Sequence, residues 1–238
     1  MSDSIGGQVL RLNAKPVREG LPRSEAAPEA CNVGTQAVLK DALSSRPFDG
    51  AVTAFVLACL PRSKAPVLWV QDRASRLENG RVYGPALKGL RLLRVEVSHA
   101  RDVLWAMEEG AGCAGLAAVV GEVHGAPPVL DFTATKRLAM RAEATGLPVW
   151  LIRSGAAEGL SAARERWRVG SLPSAPHPYN AAASGAPVWE AELVRARGRA
   201  PGTWSVQYDG RADRLRFLPR SGDGPLAADH GAAAHAAR

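Results

Sequence analysis

Short apolar runs separated by segments of helix length restrict this chain to a small set of folds. The run at residues 67–70 (VLWV) contains no polar side chain, and the run at 116–120 (LAAVV) is equally continuous. Strands that are apolar on both sides are typical of a parallel sheet covered by helices on both faces. Two further strands are predicted at 92–97 and 148–152. The helix-length segments between the four strands predict right-handed crossover connections and an α/β fold.

The clearest helix is predicted at residues 50–60, with Asp49 as its N-cap and Pro61 as its stop. Its sequence is apolar nearly all round, so we expect it to be buried. Residues 74–90 have no lasting period and are interpreted as irregular, with a helical turn as an alternative near residues 85–90. Further helices are predicted at 35–44, 98–109 and 131–145.

The pattern changes after residue 160. Residues 164–169 (RERWRV) alternate in character, and three later runs with a period of two are separated by glycine-containing turns at 198–202 and 209–210. This pattern predicts an antiparallel meander that extends the sheet. Its strands are predicted at 188–197, 203–208 and 214–218.

The fold prediction is therefore a doubly wound, mostly parallel α/β sheet with helices on both faces and a C-terminal antiparallel meander. One domain is predicted at 35–218, with a core at 46–155 and C-terminal strands at 164–218. Residues 1–34 and 219–238 have the composition of a disordered arm and a disordered tail.

Composition limits the class of protein. The chain has 238 residues, a net charge of +7 and an isoelectric point near 9.8, which favour an anionic partner such as nucleic acid. Only five of the 30 basic residues are lysines, however, so the arginine excess is equally well explained by the codon bias of a GC-rich genome. No apolar run approaches the length of a membrane span, and no secretory signal is visible. The three cysteines form no CxxC pair, so we expect reduced thiols in a cytoplasmic protein without a metal site.

A nucleotide site would be expected at the turn before the 50–60 helix. A phosphate-binding loop needs several glycines followed by Lys and Ser or Thr. Residues 44–53 (SSRPFDGAVT) contain one glycine, Gly50, and no Gly-Lys-Ser/Thr. Asp49 would place a negative charge where a phosphate would sit, and Arg46 is the sole substitute for the missing lysine.

The second element of a nucleotide site is an acid at a strand end, and Glu122 occupies such a position. An ordinary loop carboxylate explains it equally well. Asp72 is interpreted as the partner of Arg73 in a local ion pair. Because no other catalytic motif is present, we predict a non-enzyme without cofactor or metal. The degenerate nucleotide site then comprises Arg46, Asp49, Gly50, Asp72, Arg73 and Glu122.

Arginines spaced by two residues form the most distinctive chemistry. Ten arginines and five acidic residues lie between residues 161 and 220, with Trp167, Trp189 and Trp204 among them. Basic side chains near aromatic ones suit a phosphate backbone and unstacked bases, although buried tryptophans are the commoner case and are expected here. The predicted DNA-binding residues are Arg164, Arg166, Arg168, Arg195, Arg197 and Arg199.

Several phrases resemble one bacterial family. They are DGAVTAFVLACL, APVLWVQDR, RDVLWAMEEGAGCAGLAAVVGEV, LDFTATKRLAMRAEATGLPVWLIR, SAARERWRV and WEAELVRARGRAPGTWSVQYD, which together span about residues 46–218. In their order they resemble the ImuA family, the RecA-like accessory proteins of the mutagenic translesion-synthesis cassette. The resemblance implies a RecA-like core in which Arg73 stands where the recombinase carries its catalytic Glu and residues 118–122 overlie the Walker B strand.

The resemblance also implies partners. They are an inactive Y-family polymerase homologue (ImuB) directly, an error-prone DnaE-type polymerase indirectly, DNA, and RecA itself as a further expectation. The predicted function is that of a non-catalytic scaffold in SOS-induced mutagenic DNA repair, in the cytoplasm and without membrane contact. The alternatives are a SulA-like cell-division inhibitor that binds a tubulin-like GTPase, and an active RecA-like ATPase.

Overall fold

The computed structural model describes residues 36–87, 89–155, 159–210 and 213–219. The predicted N-terminal arm lies outside the described residues, as does the predicted tail apart from Pro219. Nine of the strands in the described residues form one sheet, and two more form a separate hairpin.

Six strands of the large sheet run parallel to one another. They are β1 (Leu39–Ser44), β2 (Val67–Asp72), β3 (Leu92–Val97), β4 (Ala118–His124), β5 (Val149–Ser154) and β6 (Glu165–Leu172). The hairpin follows as β7 (Pro176–His177) and β8 (Asn180–Ser184). The meander comprises β9 (Val188–Ala196), β10 (Gly202–Asp209) and β11 (Arg214–Pro219), all antiparallel to their neighbours. The order across the sheet is β11-β10-β9-β6-β1-β5-β4-β2-β3.

Four α-helices cover this sheet within the described residues: α1 (Ala51–Cys59), α2 (Arg73–Asn79), α3 (Ala100–Ala111) and α4 (Phe132–Thr145). The buried side of α1 packs on one face of the sheet, whereas α3 and α4 pack on the other. Gly146 ends α4 in the left-handed conformation, at φ 72°. The predicted α/β fold, mostly parallel with helices on both faces and a C-terminal meander, is confirmed.

The helix predicted at residues 35–44 is wrong, because this segment forms β1 in the middle of the sheet, between β5 and β6. Leu39 and Ala42 are fully buried, and so are Lys40 and Asp41. Burial lowers the pKa of Lys40 to about 8, opposed by the charge of nearby Glu165. The Lys40 ammonium donates to the carbonyl of Gln36 at 3.1 Å. Long-range pairing on both sides therefore overrides the helical propensity of Leu, Lys and Ala.

Helix α2 corrects the sequence analysis, which interprets residues 74–90 as irregular. The Asp72 carboxylate caps α2 by accepting from the backbone N–H of Ser75 at 2.7 Å. The ion pair expected between Asp72 and Arg73 is therefore replaced by a helix cap. Arg73 is exposed at the first position of the helix.

An aromatic cluster fills the core on the α1 face. The ring of Phe55 in α1 lies 5.5 Å from that of Trp167, and Trp167 lies 6.1 Å from Trp204. Trp167, Trp189 and Trp204 are 0%, 6% and 3% exposed. The expected core role of these three tryptophans is confirmed, so they offer no stacking surface to a ligand.

Candidate functional site

The start of α1 is occupied by the protein's own carboxylate. Asp49 accepts from the backbone N–H of Ala51 at 2.9 Å and from the backbone N–H and hydroxyl of Ser171 at 2.7 and 2.6 Å. Partial burial opposes the charge, but these hydrogen bonds outweigh it and hold the pKa of Asp49 below its usual value. The nearby charge of exposed Arg46 acts in the same direction. The helix begins at Ala51 with Gly50 as its N-cap, so the prediction of Asp49 as the N-cap is wrong by one residue. Asp49 precedes the cap and reaches the first helical N–H from there.

Glu122 lies inside β4 and is almost fully buried, at 1% exposure. Its carboxylate accepts from the side-chain amides of Gln71 at 3.0 Å and Asn79 at 2.8 Å. Burial raises the pKa of Glu122 to about 7, although the amide donors oppose that shift. Asn79 also donates to the hydroxyl of Ser154 at 2.7 Å, which ties the cluster to β5. These bonds engage both oxygens of the carboxylate, so Glu122 serves as a buried hub between strands.

A cavity of about 330 Å³ separates the start of α1 from this hub. Its polar lining includes the carboxylates of Asp49, Glu78 and Glu122 and one guanidinium, that of Arg81. Arg81 is engaged by Glu96 at 2.6 and 2.9 Å. A cavity with more carboxylates than cations repels a polyphosphate, because phosphate sites present N–H donors and positive charge. Of the six residues of the degenerate nucleotide site, Asp49, Gly50 and Glu122 line this cavity, whereas Arg46, Asp72 and Arg73 do not.

The six predicted DNA-binding arginines lie in different environments. Arg166 is buried and donates to Asp41 at 3.1 Å and to the carbonyl of Gly159 at 2.8 Å. Arg153, only 3% exposed, lies 3.8 Å from the same Asp41 carboxylate. This buried cluster holds two cations and one anion, and its geometry assigns Arg166 a structural role.

Two further arginines of the set bind carboxylates of neighbouring strands. Arg168 contacts Glu192 of β9 at 2.7 Å. Arg199 contacts Glu165 at 2.7 Å and lies over the ring of Trp167 at 5.9 Å. Each is about one-third exposed, at 33% of the side chain. Both therefore stabilise the junction between β6 and the meander.

The remaining three arginines come together in one groove. Arg164, Arg195 and Arg197 line a groove of about 500 Å³ beside α4, which we call the basic groove. Arg164 binds Glu143 at 2.6 Å, and Arg195 donates to the carbonyls of Ser161 and Ala163 at 2.7 and 3.0 Å. The hydrogen bond from Arg164 lowers the pKa of Glu143, and the charge of Arg197 contributes to that shift.

The basic groove also contains Lys136, which sequence reasoning missed. Lys136 is exposed on α4, one turn before the 61%-exposed Met140 and two turns before Glu143. The helical spacing of these three residues could have indicated a common face. Lys136 lies near arginines that are far away in the sequence because α4 packs against the strands that carry them. The role of all six arginines in DNA binding stays a prediction, and the groove brings three of them together.

A second groove, of about 540 Å³, follows the outer side of α1 and is mostly apolar. We call it the α1 groove. Ala54, Leu57 and Ala58 form its helical wall, and Trp189 and Tyr208 line the opposite side. At its rim, Arg62 donates to Asp213 at 2.7 Å. It adjoins the carboxylate-lined cavity, because Ala54 and Leu57 line both.

Comparison with known proteins identifies the family. Two curated proteins named Protein ImuA, from two strains of Caulobacter vibrioides, are each 34% identical to this chain over 188 residues. The alignment covers 73% of this chain and 72% of each relative. This chain belongs to the ImuA family. No family model matches the sequence.

Neither a membrane-spanning helix nor a metal-binding cluster occurs in the described residues of this ImuA-family protein. No helix in the described ranges has the length and apolar character needed to cross a membrane. Within the same ranges, no group of three or more His, Cys, Asp or Glu side chains is arranged to hold a metal ion.

Proposed function

We propose that this ImuA-family protein is a non-catalytic, cytoplasmic accessory protein of damage-induced mutagenic translesion DNA synthesis. It acts as a scaffold that binds an inactive Y-family polymerase homologue of the ImuB type, and through it an error-prone DnaE-type polymerase. It also contacts DNA directly. The proposal rests on the family membership, on the occupied start of α1 and on two surface grooves of different chemistry.

The observation that carries the non-catalytic part is the bonding of Asp49. Its carboxylate accepts a hydrogen bond from the N–H of Ala51 at the start of α1. An ATPase of this architecture would bind a phosphate at this point. Asp49 is also tied to β6 through both donors of Ser171, so it cannot swing away without breaking three hydrogen bonds. Negative charge at this point disfavours a nucleotide and stabilises the helix instead.

The basic groove supports the DNA contact. Lys136, Arg164, Arg195 and Arg197 converge there, and Glu143 is the one acidic side chain among the described residues of its lining. Basic side chains that neutralise phosphates supply most of the non-specific affinity for DNA. An excess of positive charge in one concave surface is the pattern expected for such binding.

The α1 groove is the surface we propose for the polymerase homologue. Helix α1 (AVTAFVLAC) contains no charged residue, and a helix that is apolar on all sides is normally buried. In the described residues its outer side is only half-covered, and exposed Phe48 and Tyr83 flank the adjoining cavity. Apolar anchors of a protein partner match this chemistry better than phosphates do.

Nucleotide binding is tested by thermal denaturation of the full chain with and without ATP and Mg²⁺. We expect no change in Tm at millimolar ATP and no hydrolysis. A saturable ATP-dependent rise in Tm that is lost in Glu122→Gln would overturn the non-catalytic part and restore the ATPase alternative.

DNA binding is tested with the double variant Arg195→Ala/Arg197→Ala across a salt series. We expect weaker binding of oligonucleotides and a shallower dependence of log K on log salt, because two phosphate contacts are lost. Arg91→Ala/Arg94→Ala removes the same charge at the β3 edge, far from the groove in the sheet order, and serves as the matched control. Equal effects of the two double variants would leave only general electrostatics and contradict the assignment to the groove.

Partner binding is tested by co-purification with the polymerase homologue. Ala58→Glu places a charge in the α1 groove and should abolish recovery of the homologue, whereas Ala144→Glu on the exposed side of α4 should not. Recovery of a tubulin-like GTPase in place of the polymerase homologue would sink the translesion proposal.

A further inference from the structure

Trp105 differs from every other tryptophan of the chain. All six tryptophans lie within the described residues, and five of them are at most 6% exposed. Trp105, on α3, is 65% exposed. It follows Leu104 and precedes Met107, which are both buried, so its exposure results from its position on the outer side of the helix. The indole of Trp105 is therefore not part of the hydrophobic core.

Positive charge surrounds the exposed ring. Trp105 lines a surface cavity of about 370 Å³ between α3 and α4, and the guanidinium groups of Arg101 and Arg137 line the same cavity. Their side chains are 77% and 60% exposed. Val129 and Thr133 contribute to the cavity wall beside them.

Each of the three carboxylates of this region has a partner, so a phosphate reaches the two arginines only by displacing an exposed ion pair. Asp102 lies 3.8 Å from Arg101, and Glu108 lies 3.3 Å from Arg137. Asp131 caps α4 by accepting from the N–H of Ala134 at 2.7 Å. Exposed ion pairs of this kind are weak, so a phosphate can compete for the arginines while the cap stays in place.

The cavity and the basic groove lie on the two sides of one helix. Arg137 lines the cavity and its chain neighbour Lys136 lines the groove, so only α4 separates them. A helix with its side chains is about 10 Å wide, which a few nucleotides span. Met140 is exposed and lines the groove, and exposed Arg141 follows Arg137 by one turn of α4. Basic side chains therefore occur on both sides of this helix.

We propose that Trp105 is a stacking platform for an unpaired base of single-stranded DNA whose backbone continues over α4 into the basic groove. This inference rests on the DNA contact of the proposed function and adds the strand type and the base-contacting residue. An exposed indole beside two guanidinium groups suits a base and its phosphates, because aromatic faces stack on any base and arginines neutralise the backbone. Bases in a duplex are stacked on one another, so their faces do not reach the ring.

The test compares Trp105→Ala with Trp105→Phe, using an oligothymidylate and a duplex of equal length. Loss of one stacked base should weaken oligothymidylate binding by about 10-fold or more, and the phenylalanine variant should keep most of the affinity. Duplex affinity and the salt dependence should stay close to those of the parent chain, because no phosphate contact is removed. In the parent, oligothymidylate should quench tryptophan fluorescence, and Trp105→Ala should lose that quenching.

The outcomes separate this inference from the proposed function. If Trp105→Ala binds oligothymidylate as the parent does while Arg195→Ala/Arg197→Ala binds it weakly, the stacking role is overturned and the basic groove stands. If neither the parent nor the variants bind DNA, both fail. Loss of the polymerase homologue on Trp105→Ala with unchanged DNA affinity would reassign the ring to a protein interface and overturn the inference. An unchanged Tm excludes unfolding as the cause of any loss.

Discussion

Asp49 and Ser171 are 122 residues apart in sequence, and their side chains meet at the start of α1 with an oxygen–oxygen distance of 2.6 Å. The backbone N–H of Ser171 donates to the second carboxylate oxygen at 2.7 Å. One carboxylate therefore binds the first N–H of the helix and fastens the start of α1 to the end of β6. Under the proposed function, this carboxylate lies where a nucleotide-binding relative would hold a phosphate.

Removing the Asp49 carboxylate should destabilise the fold without restoring nucleotide binding. Asp49→Ala leaves three N–H and O–H donors without their acceptor, and we expect a loss of about 1–2 kcal/mol in the free energy of unfolding. Ser171→Ala removes one of those bonds and should cost less. Urea denaturation measures both; equal stability of Asp49→Ala and the parent contradicts the role.

The pH dependence of the Asp49 contribution has a defined sign. Its pKa in the folded chain lies below the ordinary value of 3.8, so the folded state holds the proton less tightly than the unfolded state. Its stabilisation is present above about pH 4 and is lost as the pH falls through the folded-state pKa. Asp49→Ala should therefore lose less stability than the parent between pH 5 and pH 2.

Glu122 should have the opposite pH dependence. Burial raises its pKa from 4.5 to about 7, so in that window the folded state binds a proton that the unfolded state releases. The free energy of unfolding should fall by about 3 kcal/mol as the pH rises from 4 to 8. Glu122→Gln cannot titrate and should lose this decrease. Parallel pH profiles for the two proteins, measured by urea denaturation, would count against a buried titrating Glu122.

Asp41 should be among the most sensitive positions of the chain. Asp41→Asn removes the one anion that the described residues place beside the buried guanidinium groups of Arg153 and Arg166, and we expect a loss of about 3–5 kcal/mol. Adding Arg166→Met should recover part of that loss, since one unpaired cation is then removed. Chemical denaturation of both variants measures the effect.

The control for Asp41 is an exposed pair. Arg81 and Glu96 lie 2.6 Å apart with side chains 53% and 40% exposed. Glu96→Gln should lower the free energy of unfolding far less than Asp41→Asn does, because water screens an exposed pair. A similar cost for the exposed and the buried pair would contradict the importance of burial.

Gly121 in β4 should tolerate no side chain while Met107 lies against it. A methyl group built at Gly121 overlaps the sulfur of Met107 on α3. Gly121→Ala should cost about 1–3 kcal/mol through overpacking. The same substitution in a Met107→Ala background should cost less, and thermal denaturation of the four combinations gives the coupling.

Local pattern was sufficient for much of the fold. The continuous apolar runs of β2 and β4 are typical of strands whose two faces are both covered by helices. These strands can therefore be predicted without knowing which strands pair with them. The period-two runs of β9, β10 and β11, with the glycine turns between them, likewise predict an antiparallel meander from local sequence alone. The absence of a phosphate-binding loop at residues 44–53 can also be seen in the sequence, because such a loop consists of contiguous residues.

The local sequence pattern does not predict structure that depends on residues far away in the chain. Lys40 and Asp41 look like a solvated turn of helix, yet they lie fully buried in β1 because Glu165 and Arg166 pair beside them. Residues 73–79 form a helix because Asp72 caps it and Asn79 reaches Glu122 from its last turn. These contacts cannot be predicted from sequence spacing, because they join residues that are far apart in the chain.

The arginines show the same division most clearly. From the order of residues alone, the chain is an α/β protein with a nucleotide loop replaced by Asp49 and with an arginine-rich C-terminal half. Spacing by two makes those arginines look equivalent. Folding separates them, because Arg166 faces Asp41 across a strand pair whereas Arg195 and Arg197 meet Lys136 beside α4. Burial and the identity of the nearest carboxylate, both consequences of packing, decide which guanidinium groups are committed to the core and which line a groove.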